Sequence, residues 1–194
     1  MPRADPRQIG ISLLPDGTRV TVRPACPRDA DRIQDFVRGL SPSSRYDRFL
    51  APMNELSPAE LARVGAGAAR QATLMAETKI AGTRIMIGEA RYAATDGVTC
   101  EIALSVAEDW RGLGLGTLLM DHLECRARNL GTSTLVGDVL RSNAAMRTLA
   151  RKSGFDQAGV PADGRLVRIV KDISTARVGT PCGQLMASGL SIAA

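Results

Sequence analysis

Histidine and aromatic side chains are scarce in this chain, and the scarcity removes several kinds of function before any motif is read. One histidine, His122, and four cysteines, Cys26, Cys100, Cys125 and Cys182, stand among 194 residues. No CxxC spacing occurs and no set of histidines completes a ligand group, so no metal site and no disulfide framework is indicated. The four cysteines are expected as reduced, mostly buried thiols. The six aromatics (three Phe, two Tyr, one Trp) are not interleaved with basic residues as a stacking surface for nucleic acid would be, although 25 Lys and Arg against 20 Asp and Glu leave a net charge of +5. The basic residues are scattered, and some of that charge suits an anionic ligand. No apolar run approaches the roughly eighteen residues of a membrane span, and residues 1–10 carry charges and prolines where a signal peptide needs an apolar segment. A cytoplasmic protein with no nucleic-acid or membrane partner is the expectation. Two familiar phosphate loops are missing as well: no Gly-x-Gly-x-x-Gly occurs, and no Lys-Ser/Thr pair follows the glycines as in a Walker A loop.

What is present suits one globular domain, with 44% hydrophobic and 23% charged residues. Residues 1–17 hold three prolines and a short ISLL and read as a loose arm or an edge strand. The alternation in TRVTVR predicts a first strand, ended by Pro24. Ile33, Phe36, Val37 and Leu40 predict a helix over 29–40, and SPSSRYDRFLAP a short helix between prolines. Ser57-Pro58-Ala59-Glu60 is a helix start, with serine as cap and proline at the first position. After a break at Gly65–Gly67 come three strands, 72–78, 84–94 and 98–107, the last two joined by a turn at Thr95-Asp96-Gly97. A strand over 133–140, a helix over 143–152 ended by Gly154, and a hairpin of 155–157 with 166–172 close the domain. The catalytic unit is expected over 18–173, with 1–17 an arm and 174–194 a tail that packs, associates or stays loose.

The chain is organised around residues 101–131. Ile102, Leu104 and Val106 alternate with Glu101, Ala103 and Ser105, the period of a two-faced strand. Gly112, Gly114 and Gly116 follow Arg111 at alternate positions and let the backbone turn tightly against a ligand. From Leu115 the period changes to three or four, since Leu115, Leu119, Leu123, Ala127 and Leu130 form one stripe of a helix. Glu124 and Arg128 are spaced to pair on it, and Gly131 is placed to end it. Strand, glycine turn and helix N-terminus make an anion site, because the first turn of a helix has unpaired N–H donors and partial positive charge.

The pattern Arg-x-x-Gly-x-Gly of Arg111, Gly114 and Gly116, between such a strand and such a helix, resembles the GCN-related N-acetyltransferase (GNAT) superfamily. The resemblance runs from about residue 18 to 172 and is strongest from Glu101 to Phe155. It implies an α/β (α+β) fold, a mixed and mostly antiparallel sheet of about six to seven strands flanked by helices and splayed at the acyl-CoA site. It also implies acetyl-CoA as co-substrate, no metal, and an acetyltransferase acting on a primary amine by direct transfer in a ternary complex. At matching positions, Leu104 and Val106 would align the pantetheine arm as an added strand. Arg111, Gly112, Leu113, Gly114, Leu115, Gly116 and Thr117 would hold the pyrophosphate, and Asn143 and Met146 would meet the CoA arm. Asn143 is equally a helix cap, and the two roles are compatible.

Keeping a lysine-like amine neutral at pH 7 costs roughly 4 to 5 kcal/mol, so a base near the cofactor helps. Glu101 is the first candidate as catalytic base, at the start of the strand leading to the loop and opposite Ile102 and Leu104, where similar bacterial protein acetyltransferases carry a catalytic glutamate. Glu89 and Asp138 are the reserves. Many family members have a tyrosine seven residues after the asparagine, thought to protonate the departing thiolate. This chain has Ala150 there, and a thiol of pKa about 8.5 leaves fairly well unassisted. NAAMRTLARKSGF, LSPSSRYDRF and AEDWRGLGLG look like the GNAT domain of the bacterial Pat-type protein lysine acetyltransferases. A protein lysine is therefore the first-choice acceptor and a small amine the second, with a non-catalytic acyl-CoA-binding module or another acyl donor as alternative readings, and the protein is expected as monomer or homodimer. His122 reads as a packing residue and Trp110 as an anchor for the loop. Arg45, Tyr46 and Arg48 read either as acceptor-side groups or as a surface ion-pair cluster.

Overall fold

The computed structural model describes residues 10–64 and 71–174. The first nine residues, the Gly65–Gly67 break, Cys182 and the tail past Ser174 lie outside the described residues. Eight strands form one sheet: β1 (Gly10–Leu13), β2 (Arg19–Pro24), β3 (Gln71–Ile80), β4 (Thr83–Ala94), β5 (Thr99–Val106), β6 (Thr134–Leu140), β7 (Asp156–Gly159) and β8 (Leu166–Asp172). Their order is β1-β2-β3-β4-β5-β6-β8-β7. Every neighbouring pair is antiparallel except β5 with β6, the one place where the chain must cross over through a helix to return in the same direction. The strand beyond the six to seven expected is β1, which takes in Ile11–Leu13 of the ISLL segment and pairs along β2 as an edge strand.

Five helices flank the sheet: α1 (Ala30–Gly39), α2 (Pro42–Phe49), α3 (Pro58–Val64), α4 (Leu115–Asn129) and α5 (Ala144–Lys152). Their starts follow the sequence signals. Ser41 accepts from the Ser44 N–H at the head of α2, and Ser57 and Glu60 bond each other's main-chain N–H groups at the head of α3, the reciprocal pattern that satisfies two orphan donors. Leu74 and Ala76 of β3 join one apolar cluster and Met75 the other, because successive strand side chains point to opposite faces. The larger cluster packs α4, through Leu115, Leu119, Met120 and Leu123, against Ile87, Ala90 and Ile102 of β4 and β5. The smaller one packs Ile33, Phe36 and Val37 of α1 with Leu56, Val64 and Met75.

A charged cluster ties the start of α1 to the sheet. Glu77, buried on β3, is bonded by Arg23 Nε at 2.8 Å and by Arg32 Nη2 at 2.5 Å, and Arg23 reaches on to Asp29 at 2.6 Å. The Arg23 guanidinium holds the Asp29 carboxyl well below the usual carboxylate range. Cys26 and Cys100 are free thiols.

Candidate active site

The site begins where two strands separate. β5 and β6 are partners at Thr99 with Thr134, Cys100 with Leu135 and Glu101 with Val136, and no further. β5 nevertheless stays with β4 to Val106, and β6 stays with β8 to Leu140. The two strands run close up to the fork: a Cβ on Gly137 would stand 3.0 Å from the Ile102 carbonyl oxygen. Past it, one edge of β5 has no strand beside it.

Which main-chain groups face that gap follows from alternation. The Val98 carbonyl accepts from Ser133 and Thr134 on the β6 side, and the Ala107 N–H donates to the Ile87 carbonyl on the β4 side. Even-numbered residues of β5 therefore turn their N–H and C=O toward β6, so Leu104 and Val106 present main-chain groups with no strand partner to the gap, the Val106 carbonyl being met by Arg111 Nε. Their side chains and that of Ile102 pack with the α4 cluster, which leaves Glu101, Ala103 and Ser105 on the opposite face.

At the end of β5 the chain makes a short turn of 3-10 helix and enters the glycine loop. Gly112 and Gly114 hold φ of 77° and 91°, conformations that a side chain disfavours. Gly114 also begins α4, whose first internal bond runs from the Leu118 N–H to the Gly114 carbonyl at 3.1 Å. The N–H groups of Leu115, Gly116 and Thr117 lie ahead of that bond, in the turn where helix donors have no internal partner. Arg111 braces the loop: its Nε reaches the Val106 carbonyl at 3.3 Å and its Nη2 the Ser44 hydroxyl at 2.8 Å. Glu108 accepts from the Ser44 hydroxyl and from the Ser41 N–H. Burial works against its charge, but those two donors outweigh it and bring the carboxyl down to about 2.

Strand edge, loop and α5 enclose a cleft of about 410 Å³. Of the residues singled out in the sequence, Leu104, Val106, Arg111, Gly112, Gly114, Gly116, Thr117, Asn143 and Met146 line it. Leu113 and Leu115 do not; Leu115 is 1% exposed within the core and Leu113 packs against it, so only their main chain is turned to the loop. Asn143 caps α5 by accepting from the Met146 N–H at 2.9 Å and also lines the cleft. Trp110 lines the cleft while packing on the core. Ala150 is fully buried and stays outside the cleft.

Glu101 lines a second cavity, of about 380 Å³, together with Phe49, Glu60, Arg63 and Arg91. Three residues, Arg48, Ile102 and Ala103, line both spaces, so the cavities meet at the fork of the sheet. Both reserve bases are tied to arginines, although Asp138 lines the first cleft. Glu89 is fully buried, bonded by Arg48 Nε at 2.9 Å, Arg91 Nε at 2.8 Å and the Ser105 hydroxyl at 3.3 Å. Burial alone would raise its pKa, yet the two guanidinium groups reverse the shift and keep it a carboxylate. Asp138 is held by both ends of Arg168, each at 2.7 Å.

The Arg45, Tyr46 and Arg48 segment is not one surface cluster. Arg45 is buried and bonds the Met53, Arg38 and Leu40 carbonyls, closing the C-terminal end of α1, and Tyr46 meets Arg165 on the exposed side. Arg48 alone points into the site, with Ser44 and Asp47 beside it in the cleft. Their spacing of three and four along α2 puts them on one face, a signal in the sequence that the separate weighing of Arg45, Tyr46 and Arg48 passed over. Burial raises the Asp47 pKa against the pull of Arg111. His122 is a packing residue: 7% exposed, its Nε2 without a partner and its pKa pushed down to about 4 by burial, helped by Arg126. Among the described residues no group of His, Cys, Asp and Glu could hold a metal ion, and no helix is long and apolar enough to cross a membrane.

Residues 43–155 match the Acetyltransferase (GNAT) family. An acetyltransferase of Pseudomonas aeruginosa is 35% identical over 159 residues, covering 81% of this chain and 86% of that protein. The GNAT domain of S. lividans PAT superposes with a TM-score of 0.76 at 26% identity, over 84% of this chain and 96% of that one. A putative acetyltransferase from Salmonella typhimurium, solved with its cofactor acetyl-CoA, superposes at 0.62 with 21% identity, over 84% and 97%. The last is a likeness of fold alone.

Proposed function

The chain belongs to the GNAT acetyltransferase family, and from that premise we propose that it moves the acetyl group of acetyl-CoA to the nitrogen of a primary amine, with donor and acceptor bound together. The observation that carries this reading is the fork of the sheet past Glu101 and Val136. An extended pantetheine arm fits the unpaired edge of β5 at Leu104 and Val106, and the phosphates fit the N–H groups at the start of α4. Arg111, Gly112, Gly114, Gly116, Thr117, Asn143 and Met146 supply the rest of the cleft wall, with Leu113 and Leu115 contributing main chain. The solved Salmonella relative carries acetyl-CoA, which supports that choice of donor. The catalytic unit is taken as residues 18–173.

Glu101 is the proposed base. It stands at the fork, exposed to the second cavity, while Glu89 and Asp138 are each committed to guanidinium partners. An amine entering by that cavity meets Glu101 and then the mouth of the donor cleft, gives up its proton and attacks the thioester carbon with its lone pair. With Ala150 buried, the sulfur departs as thiolate and takes its proton from solvent. A protein lysine is the first acceptor, supported by the likeness to the GNAT domain of S. lividans PAT, and a small amine is the second.

The test is CoA release by the purified protein with acetyl-CoA and a panel of amines and lysine peptides, wild type against Glu101→Gln. The variant is expected to lose about 10²-fold or more in kcat while acetyl-CoA affinity stays within twofold or so. Tight acetyl-CoA binding with no turnover on any acceptor would favour a non-catalytic binding module, and an unaltered pH-rate profile in the variant would remove Glu101 from its role.

A further inference from the structure

The two cavities share one charged residue. Arg48 lines both the cleft assigned to the acyl donor and the cavity that holds Glu101; its companions there, Ile102 and Ala103, are apolar. Its side chain is 9% exposed, and Nε is fixed by the fully buried Glu89 at 2.9 Å. That bond commits one edge of the guanidinium. Its plane rests 4.9 Å from the centre of the Phe49 ring, so the group has little freedom to turn. Glu89 also serves Arg91 at 2.8 Å, so the carboxylate that fixes Arg48 is shared between two guanidinium groups. An amine from the Glu101 side can reach a thioester from the cleft side only where the two spaces join, and Arg48 is the cation at that junction.

We propose that Arg48 is a catalytic residue, whose guanidinium stabilises the negative charge that gathers on the thioester carbonyl oxygen as the amine attacks. This rests on the acetyltransferase reading above and assigns a role within it. As the N–C bond forms, the carbonyl π pair moves onto oxygen. Glu101, having passed to solvent the proton it took from the incoming ammonium, takes the second proton from nitrogen; the C=O bond re-forms, and the C–S pair leaves on sulfur, which is protonated from solvent. A fixed cation whose side chain is itself largely buried stabilises such charge far more than a mobile one in bulk solvent, because it needs no reorganisation at the moment of reaction. No side-chain acid reaches the sulfur from position 150, so electrostatic stabilisation of this kind has a larger share of the barrier to carry. The ion pairs of Arg48, Glu89 and Arg91 then serve to aim the guanidinium, with Ser105 completing the set around Glu89.

The experiment is steady-state kinetics, acetyl-CoA affinity by calorimetry and thermal melting for wild type, Arg48→Gln and Arg48→Lys. Glutamine keeps an N–H for Glu89 without the charge, and kcat is expected to fall about 10²-fold with acetyl-CoA affinity and acceptor KM near wild type. Lysine keeps the charge on a shorter stem that cannot serve Glu89 and the oxygen together, and is expected to lose about tenfold. A purely structural role would lower the melting temperature and leave the kcat of the folded enzyme alone, so Arg48→Gln turning over within about threefold of wild type overturns the proposal. Should that variant fail to melt cooperatively, Arg48→Met takes its place, and a kcat within about threefold of wild type there overturns the proposal instead. If the wild type neither binds acetyl-CoA nor releases CoA, the acetyltransferase reading itself has failed, whereas an active wild type with an equally active Arg48→Gln removes only Arg48.

Discussion

Glu101 and Val136 are the last partners between β5 and β6, and the position that ends the pairing also carries the carboxylate at the mouth of the second cavity. A strand must lose its neighbour for its own N–H and C=O groups to be offered to a ligand, and the carboxylate must stand at that point to meet an acceptor coming from the other side. Fork and proposed base are thus set by one residue of register. A one-residue slip of β5 would turn Glu101 to the α4 face and Ile102 to the cavity.

Gly114 holds φ of 91° at the start of α4, and a Cβ there would stand 3.1 Å from Pro15 Cδ. Gly114→Ala is expected to cost about 1 to 2 kcal/mol of stability and to weaken acetyl-CoA binding, because the loop must rotate its N–H groups to relieve the strain. Denaturant melts and calorimetric titration measure the two effects; unchanged affinity would detach the loop's conformation from ligand binding.

Asn143 has both a cap to lose and a cleft to line. Asn143→Ala should cost about 1 kcal/mol through the missing bond to the Met146 N–H, with a fall in acetyl-CoA affinity. Asn143→Ser, which can still cap, should recover the stability and not the affinity if the amide nitrogen is the ligand contact.

His122 makes stability sensitive to acid. Its pKa is about 4 in the folded protein against an ordinary 6.5, so between those values the unfolded chain binds more protons than the folded one. The stabilisation is complete above about pH 6.5 and is lost as pH falls toward 4, by up to about 3 kcal/mol. His122→Leu removes the unbonded Nε2 and should flatten this arm of the pH-stability curve, measured as urea midpoints from pH 4 to 7.

Glu77 is the buried centre of the charged cluster that fastens α1 to the sheet. Glu77→Gln is expected to destabilise by about 3 kcal/mol, since it leaves Arg23 and Arg32 without their shared carboxylate, and to lower the melting temperature by roughly 10 °C. The catalytic groups lie elsewhere in the sheet, so kcat at low temperature should hold; a large loss of kcat in the folded variant would show that α1 has shifted the acceptor side.

Periodicity and punctuation in the sequence were enough for the strand, glycine turn and helix of residues 101–131, for the caps at Ser57 and Asn143, and for the opposite faces of Glu101 and Ile102, because each depends on residues close together in the chain. The family resemblance added the splayed sheet. Only the tertiary structure decided that β5 and β6 part after three pairs, that Glu89 and Asp138 are tied to arginines, and that Arg45 closes a helix while Arg48 joins two cavities. Those outcomes depend on partners brought together from separate elements, Arg48 on α2 with Glu89 on β4 and Asp138 on β6 with Arg168 on β8. A local pattern records which face a side chain takes, and folding alone determines what it meets there.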